Sequence, residues 1–128
     1  MSILTCGFVT FFFFLNIDNI TFIGLSGNSF RIYESKYKFI LCPEGNNFES
    51  HRIWESLIFN CTPVVRSNNV NNNFFNLGVP LLIIDDWSYL DDLTFEDLVN
   101  LNQVNENKDY RKFSTWKFWK DLIESKKL

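Results

Sequence analysis

The chemically richest stretch of this sequence runs Cys42-Pro43-Glu44-Gly45-Asn46-Asn47-Phe48-Glu49-Ser50-His51-Arg52-Ile53-Trp54-Glu55. A short apolar strand leads into it and a helical pattern leads out, so a Pro/Gly/Asn loop joins strand to helix. A helix N-terminus presents unpaired N–H groups and a partial positive charge, which together suit an anion. Arg52 falls in the first helical turn and carries a planar, permanently charged donor fork matched to phosphate oxygens. Glu55 follows three residues later on the same side, where a carboxylate accepts a ribose diol. The two would grip a nucleoside diphosphate. The same spacing also describes an Arg52–Glu55 surface pair worth about 0.2–0.5 kcal/mol. Neither a P-loop nor a dinucleotide fingerprint is present, so spacing alone leaves both readings open.

The elements that must position these residues follow from the apolar pattern. Ile3 to Leu15 is almost wholly apolar, but Asn16, Asp18 and Asn19 stop it short of the roughly 20 residues that span a bilayer. It lacks the positive flank and small-residue cleavage site of a secretory leader and reads as a buried strand, or as the tail of a longer element begun outside this chain. Ile20 to Leu25 reads as a second strand, closed by Ser26-Gly27-Asn28. Ser29 to Tyr37 reads as a short helix, with Phe30, Tyr33 and Tyr37 on one face. Phe39 to Cys42 is the strand before the loop.

Ser50 to Phe59 is helical, with Ile53/Leu57 and Trp54/Ile58 as i, i+4 pairs. Asn60 stands where a helix end favours a left-handed residue. Pro63 to Val65 is the next strand. Residues 67–76 form an Asn-rich loop with a helical turn around Phe74 and Phe75. Leu81 to Asp85 is a further strand, Phe95 to Leu101 a helix, and Tyr110 to Lys126 a long amphipathic helix. Short apolar strands alternating with helices give an α/β class: a doubly wound, Rossmann-like parallel sheet with helices on both faces. Ligands of such sheets sit beyond the carboxyl ends of the strands, which selects the loops after Cys42, Val65 and Asp85.

A chain of 128 residues suits one domain. Its 46% hydrophobic and 21% charged residues describe a globular protein. A net charge of −3 argues against a nucleic-acid binder, so any phosphate must be held by local groups. Fifteen Phe, sixteen Asn and no Ala point to an AT-rich coding sequence and warn against giving each Asn or Phe a role. Cys6, Cys42 and Cys61 form no CxxC pair, and with one His they make neither a zinc set nor a disulfide framework; they read as buried thiols. Asn19-Ile20-Thr21 and Asn60-Cys61-Thr62 fit the glycosylation pattern, which so Asn-rich a chain also generates by chance. Asp85-Asp86 is a poor metal pair, because adjacent strand residues point to opposite faces; one of the two is expected to cap the next turn.

Tyr37-Lys38-Phe39-Ile40-Leu41-Cys42-Pro43-Glu44-Gly45-Asn46, then His51-Arg52-Ile53-Trp54-Glu55-Ser56-Leu57, then Cys61-Thr62-Pro63-Val64-Val65 resembles the donor-binding half of exostosin-like glycosyltransferases, the ribitol-xylosyltransferase-like members most of all. Val79-Pro80-Leu81-Leu82-Ile83-Ile84-Asp85-Asp86-Trp87 is similar to the strand and Asp-Asp-Trp that come next in that family. The resemblance covers about residues 29–100. It implies a single donor-binding lobe over 1–128, with a C-terminal helix at about 110–126, belonging to a two-lobed GT-B-type enzyme whose N-terminal acceptor lobe is absent from this chain.

The implied activity is transfer of a sugar from a nucleotide-diphosphate sugar, UDP-linked in preference to GDP-linked, to a hydroxyl of a glycan or other acceptor. No metal and no further cofactor is implied. Carried over by position, Arg52 would bind the phosphates or nucleotide and Glu55 the ribose. Gly45, Asn46, Ser50 and His51 would shape the donor loop, and Arg66 would face the diphosphate. No catalytic residue is assigned, because the family places the acceptor and its base in the other half.

Departures from the family pattern are Asn47 and Asn60 for Gly, Glu49 for Asp, Ser56 for Ala, and Glu44 where a basic or neutral residue is usual. The family implies the Golgi lumen and membrane association in eukaryotes, and the cytoplasm in viruses or bacteria. Two other functions fit the same class: a non-catalytic nucleotide-sugar-binding relic, and an α/β interaction domain. Tyr110, Phe113, Trp116, Phe118, Trp119, Leu122 and Ile123 exceed what one helix face needs, so they pack on this sheet or on the missing lobe.

Overall fold

Four residues separate Leu15 from Ile20, far fewer than the dozen or so that a parallel crossover needs. The two strands must therefore pair as a hairpin, and in the computed structural model they do. The structure describes residues 10–15, 20–25, 38–44 and 51–127, the strands at 10–15 and 20–25 and residue 95 by backbone alone. Strand β1 (Thr10–Leu15) runs antiparallel to β2 (Ile20–Leu25), with Thr10 opposite Leu25 and Leu15 opposite Ile20. On its other side β1 runs antiparallel to β3 (Phe39–Leu41). The expected turn at 26–28 and helix at 29–37 lie outside the described residues.

Beyond β3 the sheet is parallel. Helix α1 (His51–Ile58) connects β3 to β4 (Thr62–Arg66), and α2 (Asn69–Asn76) connects β4 to β5 (Leu82–Ile84). The strand order is β2-β1-β3-β4-β5. The expectation of a parallel sheet thus holds for β3–β5, a Rossmann-like three-stranded unit. It is corrected for β1 and β2, which form an antiparallel hairpin at one edge.

Alternation along β3–β5 divides the core into two layers. Ile40, Cys42, Val65 and Leu81 face one side, where they meet Ile53 and Leu57 of α1, with Phe74 and Phe75 of α2 packed against them. Phe39, Leu41, Val64, Leu82 and Ile84 face the other, covered by Leu90 of the 3-10 turn Trp87–Asp92 and Leu98 of α3 (Phe95–Leu101). Helices therefore cover both faces of the parallel unit. Successive crossovers in one direction across a sheet put their helices on one side, as α1 and α2 are here.

Local chemistry sets the element ends. Asn60 ends the α1 turn at φ +62°, the left-handed conformation expected of it. Helix α2 replaces most of the expected Asn-rich loop. Asn68 caps it by accepting a hydrogen bond from the Asn71 N–H at 2.8 Å, and Gly78 closes it at φ +98°, where a side chain would be strained. A Thr94/Asp97 capping box starts α3.

The long C-terminal helix expected from Tyr110 to Lys126 is corrected: it is broken. A 3-10 turn, Arg111–Ser114, is followed by Thr115 in extended conformation, which caps a shorter α4 (Trp116–Ser125). The break lets Tyr110 and Phe113 enter the core, which one straight helix could not do while also seating Phe118 and Trp119 against it. The Trp119 indole N–H donates to the Phe113 carbonyl at 2.8 Å, and Trp54, Phe74 and Trp119 meet edge to face. Trp116 and Ile123 remain exposed. Among the described residues no helix is long and apolar enough to cross a membrane.

Candidate functional site

The carboxyl ends of β3, β4 and β5 bring together Glu44, Arg66 and Asp86. Arg66 is the last residue of β4, and register with β3 and β5 fixes where its backbone lies. Its carbonyl accepts from the buried Asn71 amide at 2.9 Å, which ties the strand end to α2. Its guanidinium closes on Glu44 through a two-pronged pair: Nε donates to Oε1 at 3.1 Å and Nη2 to Oε2 at 2.8 Å. Asn68 adds a third donor, its amide reaching Glu44 Oε1 at 3.2 Å. Hydrogen bonds from Arg66, then from Asn68, hold the Glu44 carboxyl below the usual carboxylate range against the opposing effect of partial burial.

Asp86 stands on the same rim. It caps the 3-10 turn Trp87–Asp92 by accepting from the Ser88 hydroxyl at 2.7 Å and the Ser88 N–H at 2.9 Å. Those two bonds keep its carboxyl ionised below its ordinary range, and the charge of Arg66 adds to the effect. Of the Asp85-Asp86 pair, one member is thus the expected cap. Among the described residues no group of three or more His, Cys, Asp or Glu is placed to hold a metal.

His51, Arg52 and Glu55 occupy the first turns of α1. His51 is exposed and Glu55 half-buried, whereas Arg52 keeps only 7% of its exposure. Burial of Arg52 removes it from the class of surface helix pairs, and no ion pair joins it to Glu55 among the described residues. The start of α1 is anchored to the sheet. The Ser56 hydroxyl donates to the Arg52 carbonyl at 2.6 Å, and Ser56 Oγ lies 3.7 Å from Cys42 Sγ at the end of β3. Cys42 and Ser56 are both buried, so the Ser56 hydroxyl finds partners rather than solvent.

Of the residues expected to form a donor site, His51, Arg52 and Glu55 are gathered on α1, while Arg66 is bonded to none of these three. Gly45, Asn46 and Ser50 lie outside the described residues. Sequence reasoning missed Asn68 and the Glu44–Arg66 partnership. The cap at Asn68 has a signal, an Asn immediately before a helix, but the run of asparagines around it hides which one caps. Within the Asn60-Cys61-Thr62 pattern, Asn60 is exposed, whereas Thr62 is buried and hydrogen-bonded to Tyr110.

No protein-family model matches the chain, and no curated protein matches its sequence.

Proposed function

We propose that this chain is the nucleotide-sugar-binding lobe of a GT-B-type glycosyltransferase, with Arg52 on the donor diphosphate, Glu55 on its ribose, and a UDP-sugar as donor. The observation that carries the reading is the β3–α1–β4 unit. It sets a buried Arg in the first turn of a helix that follows a parallel strand, at the sheet end where α/β ligands bind. A side chain that must be desolvated to sit there contributes more to holding a diphosphate than an exposed one.

In the reaction, the acceptor hydroxyl oxygen bonds to the anomeric carbon and the bond from that carbon to the diphosphate breaks. The diphosphate leaves with the electron pair, and the hydroxyl proton passes to a base on the acceptor side. Positive charge already in position stabilises the developing charge on the leaving group.

Titration calorimetry with UDP and GDP tests the reading. The intact chain binds UDP, and Arg52→Ala abolishes binding while the variant melts as a folded protein. Equal binding by both proteins overturns the role of Arg52, and no binding of either nucleotide by the intact chain overturns the lobe assignment. One observation favours a second reading, a binding module without turnover: the fork of Arg66 is already occupied by Glu44, which leaves one positive charge fewer for a leaving diphosphate. Donor binding without sugar transfer, even with an acceptor lobe supplied, would select it.

A further inference from the structure

Arg66 and Asn68 present three donors whose geometry suits a carboxylate or a phosphate. A guanidinium fork gives two parallel bonds, and an amide held in place by its own second bond gives a third. Asn68 is rigid because its Oδ1 accepts the Asn71 N–H at 2.8 Å while its Nδ2 faces Glu44. The anion they hold belongs to the chain itself. The Glu44 side chain keeps 19% of its exposure and that of Arg66 44%, so the ligand is mostly covered and the receptor side still opens to solvent. Glu44 thus occupies the donors of Arg66 and also offsets its positive charge, as Asp86 does from further along the rim.

We propose that Glu44 is an internal occupant of an anion site formed by Arg66 and Asn68, and that a diphosphate-bearing ligand enters by displacing it, so that Glu44 sets the affinity of the site. The proposal rests on the reading of this sheet end as a donor site and adds to it a built-in competitor. Exchange requires the Glu44 side chain to rotate away from Arg66 and Asn68, breaking the three hydrogen bonds it accepts. Ion pairs that stay open to solvent, as this one does on the Arg66 side, contribute little individually. Displacement is therefore within reach of a ligand that brings two or more charges of its own.

The test uses the full chain with inorganic pyrophosphate and UDP as probes. In calorimetry, Glu44→Gln binds pyrophosphate more tightly than the unaltered chain by roughly two- to fivefold, the range a solvent-accessible pair supports. The gain disappears in the Glu44→Gln/Arg66→Ala double variant. Independently, carboxyl-carbon NMR of the unaltered chain shows the Glu44 titration moving up towards the ordinary Glu range when pyrophosphate is added, a readout that does not need the variant to fold. Unchanged or weaker affinity in Glu44→Gln, together with a Glu44 signal indifferent to pyrophosphate, overturns the proposal.

The two readings separate cleanly. If UDP binds and depends on Arg52 but Glu44→Gln changes nothing, the internal competitor fails and the donor lobe stands. If pyrophosphate displaces Glu44 while UDP binds no better than pyrophosphate and ignores Arg52, the competitor stands and the donor lobe fails. Binding of neither probe by any of these proteins overturns both.

Discussion

The hydroxyls of Thr62 and Tyr110 lie 2.7 Å apart inside the protein, joining the start of β4 to the chain entering the 3-10 turn Arg111–Ser114. Asn102 donates to Thr62 Oγ1 at 3.0 Å, and Asn105 donates both to Asn102 Oδ1 at 2.9 Å and to the Leu81 carbonyl at 3.0 Å. All four side chains are buried. The network ties together the amino end of the parallel strands, opposite the rim that carries Arg66.

Removing Thr62's hydroxyl leaves two buried partners without it. Thr62→Val, although favourable for a strand by propensity, is expected to destabilise the protein by about 1–3 kcal/mol. Tyr110→Phe, which leaves Thr62 still bonded to Asn102, costs about 0.5–1.5 kcal/mol. Urea unfolding of the two variants checks the order. A Thr62→Val protein as stable as the parent contradicts the network's contribution.

Asn60 gives a backbone prediction free of packing, since its side chain is exposed and its φ is +62°. Asn60→Ala costs about 1–2 kcal/mol because a β-carbon crowds the left-handed region without the local hydrogen bonding that Asn offers. Asn60→Gly changes stability little. Thermal melts of both variants separate conformational strain from any side-chain contact, since a contact would make Gly as harmful as Ala.

Two apolar truncations should differ sharply. Leu57 has no exposure, whereas Trp116 keeps 74% of its own. Leu57→Ala opens a cavity between α1 and the sheet and costs about 2–5 kcal/mol. Trp116→Ala stays within about 0.5 kcal/mol of the parent. A large loss of stability on truncating Trp116 would show that it is covered in solution by something other than this fold.

Acid should weaken the Glu44–Arg66 pair in a defined direction. The Glu44 carboxyl is held below its ordinary value of 4.5, chiefly by the Arg66 hydrogen bonds. Its stabilising contribution is therefore complete above that ordinary value and is lost as pH falls through the lowered one. The difference in urea midpoint between parent and Glu44→Gln is expected to be largest near neutrality, to shrink steadily below about pH 4.5, and to shrink also in high salt. A difference independent of both pH and salt would assign Glu44 a packing role instead.

The sequence by itself determines much of this protein, because much of it is local. Apolar runs locate β1 to β5 and the paired spacing of Ile53 and Leu57 locates α1, since burial of one face has a period that composition bias does not erase. Asn60 announces its left-handed turn, and the Asp85-Asp86 pair a cap, through the conformational habits of single residues; the structure chooses Asp86. The antiparallel hairpin of β1 and β2 is also implied by the four residues between them, a length that forbids a crossover, although the alternation of strands and helices reads as a wholly parallel sheet.

Tertiary structure decides the rest. Helix α2 forms through asparagines that are poor helix formers because Asn71 is buried on the Arg66 carbonyl and Phe74 packs beneath Trp54. The C-terminal helix breaks at Thr115 because Tyr110 and Phe113 are drawn into the core. Arg66 meets a carboxylate 22 positions away, and Tyr110 a hydroxyl 48 positions away. No spacing rule reaches such distances. Which charges face one another across a strand rim is settled only when the sheet brings them there.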